Sequence, residues 1–161
     1  MTKAEFAVAT RKAEFPAFVR VLTALPQDRL DYRPDPKART AADLAWVLAE
    51  EEAALLTLVE TGVIDWKETK APARVDEIVS AYEKSAQAVT ERLEKLDEAG
   101  WQKNGKFLVG GAPAWETTID GFVWGFLLDA IHHRGQLSTY LRPMGGKVPS
   151  IYGPSADDPG K

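Results

Sequence analysis

The stretch from Ile119 to Leu141 constrains the fold more than any other. Its residues Ile119, Phe122, Val123, Phe126, Ala130, Leu137, Tyr140 and Leu141 recur at the spacing of one helix face. Trp124, Leu127 and Leu128 extend the apolar surface around most of the circumference. A helix that is hydrophobic nearly all round is buried on more than one side, so this one requires helical neighbours. Three other segments carry a helical period, and almost no stretch alternates apolar with polar residues. The pattern predicts an all-α fold: one four-helix bundle domain spanning residues 1–161, with helices near 3–25, 41–60, 73–99 and 118–142. Trp124, Leu128 and Ile131 form a second apolar face that a lone bundle would leave exposed, which predicts a homodimer.

Local signals set the helix ends. Pro16 interrupts the first segment and predicts a kink or a fresh first turn, and Pro26 closes it. The prolines of Arg33-Pro34-Asp35-Pro36 hold the chain extended before Thr40 and Asp43, which stand in capping-box positions for a helix starting at Ala41. Thr61-Gly62 ends that helix, and a connection containing Trp66 follows to about Pro72. The third segment shows the clearest period, from Val75 through Leu96, with Gly100 as its expected stop. Between Trp101 and Trp115 the run Phe107-Leu108-Val109 fits either a small strand or a loop over one end of the bundle. Gly110-Gly111 there is not a phosphate loop, because no Gly-Lys-Ser/Thr follows. The tail after Pro143 mixes Pro and Gly with Val148, Ile151 and Tyr152, as expected of an ordered nonhelical strap.

Composition narrows the function classes. The net charge is −4 with acids and bases interleaved, and no Lys/Arg block is present to neutralise phosphates, so nucleic acid is not an expected partner. The first fifteen residues are charged throughout, unlike a signal peptide or a membrane span, and a cytoplasmic location is expected. With no cysteine, the chain has neither disulfides, thiolate ligands nor a thiol nucleophile; any thiol chemistry needs an external thiol.

Both histidines, His132 and His133, lie in the last helix. Asp129 and His133 are four apart, which stacks their side chains one turn above the other and directs both inward. Such a pair suits a divalent metal completed by a third ligand, and equally suits a buried carboxylate–imidazole hydrogen bond without metal. His132 points about 100° away and fits a surface or subunit-contact position. On the second helix the apolar seam Leu44, Val47, Leu48, Leu55, Leu58 is broken by Glu51. A desolvated carboxylate costs several kcal/mol unless it is paired or binds metal; the alternative is that Glu51 reaches solvent beside Glu50 and Glu52.

The string His133-Arg134-Gly135-Gln136-Leu137, then Tyr140-Leu141-Arg142 and the tail Lys147 to Ser155, resembles the C-terminal signature of the DinB/YfiT-like family of metalloenzymes. That family is unrelated to the DNA polymerase sharing its name. Leu30 to Pro34 and Thr40 to Trp46 are similar to the family's entry into its second helix. The resemblance implies a homodimeric helical bundle with a divalent metal, and a metal-binding histidine at the position of Val47. Valine cannot bind metal, and Glu51, one turn along the same face, is the nearest replacement. The expected ligand set is therefore Asp129, His133 and Glu51. Zinc or nickel suits it, and manganese or iron is tolerated better than by three histidines.

By the same resemblance the activity is that of an S-transferase using a low-molecular-weight thiol, or of a small hydrolase if water is the nucleophile. Arg134 and Gln136 diverge from His133 around the helix and are expected to support structure rather than chemistry. Two alternatives stand beside this: a metal-free degenerate member that binds a small ligand or acts as a stress-linked structural dimer, and a helical interaction module in which Asp129 and His133 satisfy each other.

Overall fold

The computed structural model describes residues 1–160. Four long helices form the body: α1 (Lys3–Thr23), α2 (Ala41–Thr61), α3 (Val75–Leu93) and α5 (Ile119–Leu141), with a short α4 (Glu98–Gln102) before the last. α1 runs through Pro16 without a second start. Its N-terminus is closed by Thr2 and Glu5 in a reciprocal capping box. Thr40 and Thr118 cap α2 and α5 by accepting from the amides of Asp43 and Gly121. Gly62 ends α2 in the left-handed region, at φ 82°.

The architecture differs from the expected all-α bundle in two places. The third helix stops at Leu93 instead of reaching Ala99, because Asp97 starts a new helix by accepting the amide of Gly100; Gly100 is an internal residue of α4 rather than a stop. A three-stranded sheet also covers one end of the bundle. β1 (Val63–Trp66) pairs parallel with β2 (Asn104–Val109), which pairs antiparallel with β3 (Ala112–Thr118). Gly110 and Gly111, at φ 60° and 79°, make the two-residue turn between β2 and β3, where two consecutive left-handed residues match strand twist. β1 comes from the connection after α2, so its partner lies some forty residues away in sequence, at Val63↔Lys106.

The core divides into two apolar clusters. One holds Leu22, Leu44, Leu48, Ile78, Tyr82, Leu137 and Leu141; the other holds Leu55, Leu58, Val89, Leu93, Trp101, Phe122 and Phe126. Arg11, Glu51, Glu52 and Arg134 are the charged residues buried among those described. Arg11 on α1 and Glu51 and Glu52 on α2 fall between residues of the first cluster and residues of the second, forming a polar belt across the waist of the bundle, and Arg134 lies on α5 among residues of the first cluster. Each charge in such a belt needs a partner, since leaving one unpaired costs several kcal/mol. Arg134, 1% exposed, donates to Glu14 at 2.6 Å and to the Tyr152 hydroxyl at 2.5 Å, with its guanidinium 4.5 Å over the Phe18 ring. This ties the C-terminal tail to α1. Met144 is buried, Val148 and Ile151 pack against the core, and Asp157 receives hydrogen bonds from Arg142 and the Val148 amide. The tail is thus an ordered strap. No helix among the described residues is long and apolar enough to cross a membrane.

Candidate metal centre

At the belt, α2 and α5 bring Glu51, Asp129 and His133 together. One ligand atom from each lies within 4.8 Å of the others. His133 Nδ1 is 3.2 Å from Glu51 Oε1 and 3.9 Å from Asp129 Oδ2. Glu51 is 5% exposed, so it does not turn to solvent; nor does Glu52, which is 6% exposed and ion-paired with Arg11. The pair on α5 is less symmetrical than its spacing suggests. The His133 side chain is largely covered, whereas that of Asp129 is 59% exposed and stands at the rim rather than pointing inward. His132 is exposed.

The electrostatics follow from burial. Desolvation raises the Glu51 carboxyl from 4.5 to about 7, with the hydrogen bond and charge of His133 pulling it back down and Asp129 pushing it further up. His133 is raised chiefly by its hydrogen bond to Glu51. Hydrogen-bonded to each other, the two groups titrate as a coupled pair.

A divalent ion fits this donor set on one structural observation: Glu51 Oε2 is buried and has no hydrogen-bond partner. A carboxylate oxygen left orphaned in the interior, beside an imidazole nitrogen and a second carboxylate, is what a cation would satisfy. Two oxygens and one nitrogen form a set of intermediate hardness.

The cluster lies along a cavity of about 460 Å³ whose walls include Trp66, Phe107, Trp115 and Phe126, with Val47 buried on the same side as Glu51. Arg39 borders it and is held by Glu68 through two hydrogen bonds of 3.0 and 2.8 Å. Nothing in the residue pattern pointed to Arg39 or Glu68 at the site, since both reach it from connections without a helical period. One signal was present for Trp115: a Cβ on Gly125 would stand 2.2 Å from its ring, so the α5 glycine marks where the β3 indole lies on the helix.

A model of the DinB family matches residues 11–160. The chain belongs to the DinB family. Among solved structures, this DinB chain is similar to a DinB-like protein from Bacillus cereus (TM-score 0.77, 21% identity, covering 92% of this chain and 97% of that one). It is also similar to a DinB-like protein from Bacillus subtilis (TM-score 0.68, 16% identity, covering 88% and 93%). A mycothiol-dependent maleylpyruvate isomerase shares the fold more distantly, at TM-score 0.59 and 12% identity; the match covers 90% of this chain and 62% of the isomerase. At these identities the likeness is one of fold. No curated protein matches the chain significantly.

Proposed function

We propose that this DinB protein is a metal-dependent enzyme in which Glu51, Asp129 and His133 hold one divalent cation, zinc or nickel before manganese or iron. The observation that carries the proposal is the buried, unpartnered Oε2 of Glu51, on a residue that offers a ligand atom within 4.8 Å of ligand atoms of His133 and Asp129. When bound, such an ion supplies Lewis acidity that lowers the pKa of a thiol or water. The chain's own residues do the rest. Trp66, Phe107, Trp115 and Phe126 give apolar walls to a cavity large enough for a small substrate. Arg39, kept in place by Glu68, offers positive charge at its edge.

Attack by an external low-molecular-weight thiol is the preferred chemistry, supported by the lack of cysteine and by the mycothiol-dependent isomerase among the proteins of this fold. Hydrolysis is the same site with water as nucleophile. We place the protein in the cytoplasm as a homodimer, with Leu128 of α5, 62% exposed, at the contact. Light scattering that reports only monomer at tens of micromolar would count against the dimer.

A metal-free reading rests on a separate observation: His133 and Glu51 already form a hydrogen bond, so the site has a closed apo state. Elemental analysis of purified wild type, Glu51→Gln and His133→Ala separates the two. About one equivalent of metal in wild type and loss in both variants is expected. Unchanged metal in Glu51→Gln removes Glu51 from the site, and none in wild type moves the protein to a non-enzymatic, ligand-binding or structural role. A thiol-transfer screen on the metal-loaded protein then tests the chemistry.

A further inference from the structure

The second buried acid of α2 opens a different question. Glu51 and Glu52 are adjacent, so their side chains leave the helix about 100° apart. Glu51 borders the cavity described above, and Glu52 borders a second cleft of about 370 Å³ between α1 and α3 that shares no lining residue with the first. At its inner end Glu52 is paired with Arg11, both side chains at least 90% buried. The Arg11 guanidinium gives an N–H to Glu52 through Nη2, while its Nε is buried without an acceptor. Tyr82, stacked at 16° on Phe15 and tilted on Phe18, forms an aromatic wall, Ala86 and Leu127 line the interior, and the exposed Lys12–Glu94 ion pair spans the mouth from α1 to α3.

A buried donor with no acceptor is rare in native proteins and calls for a partner. Here it belongs to a side chain lining an open cleft of the size small-molecule sites have. The ligand's chemistry follows from the walls. Flat aromatic surfaces favour a flat apolar body. The Arg11 charge is already balanced by Glu52, so a second carboxylate beside Glu52 would be repelled, whereas an uncharged carbonyl oxygen meets the unpaired donor without adding charge. We propose that the α1–α3 cleft is a second binding site, separate from the Glu51–Asp129–His133 cluster, for a small uncharged aromatic compound whose carbonyl oxygen accepts from Arg11.

The test is a titration of isotope-labelled full-length protein, followed by nuclear magnetic resonance, with three probes. Acetophenone carries ring and carbonyl, ethylbenzene lacks the oxygen, and benzoate adds a charge. Acetophenone is expected to shift the Arg11 Nε–H signal and the amides of Ala86 and Leu127, and to bind at least about fivefold more tightly than ethylbenzene, the factor one net hydrogen bond supplies. Benzoate is expected to bind more weakly than acetophenone. Ala86→Met, which fills the cleft, should abolish the shifts while leaving the remaining spectrum in place. Equal binding of ethylbenzene or benzoate, shifts confined to other surfaces, or no saturable shift with acetophenone would overturn the proposal. The comparison of probes on wild type decides this even if Ala86→Met fails to fold.

Discussion

Replacing Glu51 by Gln should stabilise the metal-free protein, and added metal should erase that advantage by stabilising wild type alone. In the unfolded chain Glu51 loses its proton near 4.5, but in the folded protein burial holds the proton to about 7. The native state therefore binds more protons than the unfolded state between these values, and stability falls as pH rises through them. At about 1.4 kcal/mol per pH unit, the burden on wild type reaches about 3 kcal/mol above neutrality and vanishes in acid. His133 works in the same direction: its raised value contributes stability that is present below its unfolded pKa and lost as pH rises through the folded one. Glutamine keeps the shape and an oxygen toward His133 without ionising. Urea unfolding in the presence of chelator should show the variant and wild type equal near about pH 4, with the variant ahead by about 2–3 kcal/mol near about pH 8. With metal at about a hundred times its dissociation constant, wild type gains about 2.7 kcal/mol that the variant does not. A difference between the two proteins that stays constant with pH under chelator, or a variant weaker at both ends, would refute the buried-carboxylate argument. A variant that gains as much from metal as wild type would refute the ligand assignment.

Because metal must displace a proton from each of Glu51 and His133 where they are protonated, apparent affinity should rise with pH by up to about tenfold per unit for each proton displaced; calorimetry in buffers of different ionisation enthalpy measures the protons released. Arg134→Ala should cost about 3 kcal/mol, since it leaves the Glu14 carboxylate without its cation and removes one of the two hydrogen bonds that hold Tyr152, the one to Glu14 remaining. Metal content in the folded variant should be unchanged, and loss of turnover with metal retained would give Arg134 a chemical role instead. Gly125→Ala places a methyl where the Trp115 ring lies and should destabilise by about 1–2 kcal/mol, visible as a lower thermal midpoint; an unchanged midpoint would show that β3 moves aside without cost.

What the sequence revealed and what it concealed divide along the range of the interactions. The four long helices were legible because each carries its own 3.6-residue period, and α2 also carries clear end signals at Thr40 and Gly62. Glu51 was legible as an acid interrupting an apolar seam, an anomaly contained within one helix. The sheet was not: β1 is four residues long with half-exposed positions, and its pairing to β2 exists only once the bundle has placed Val63 beside Lys106. The pairing of Arg11 with Glu52 spans 41 positions and has no local signature, so Glu52 looked like one of three acids facing water. The i, i+4 rule correctly put Asp129 near His133. It could not tell that their shared face lies at the edge of the helix interface, where His133 is covered and Asp129 is not.

The same contrast explains why only one of the two adjacent acids asks for a cation. Glu52 meets a guanidinium that stays charged at any ordinary pH, so its interior charge is balanced by the chain itself. Glu51 meets an imidazole, which balances it only while protonated, and a second carboxylate, which adds to the problem. With the acids ionised and the ring neutral the cluster carries two negative charges, those of Glu51 and Asp129, and a divalent ion cancels them. That neutrality has a chemical consequence. A cation held by neutral histidines keeps its full charge for polarising a bound nucleophile, whereas two carboxylates spend that charge before a thiol or water arrives. On the proposed metal-dependent reading, a DinB chain with valine at position 47 and glutamate at 51 should therefore hold a metal through charge balance and activate a nucleophile less strongly than a histidine-rich site would. Its thiolate-forming or hydroxide-forming pKa should lie correspondingly higher.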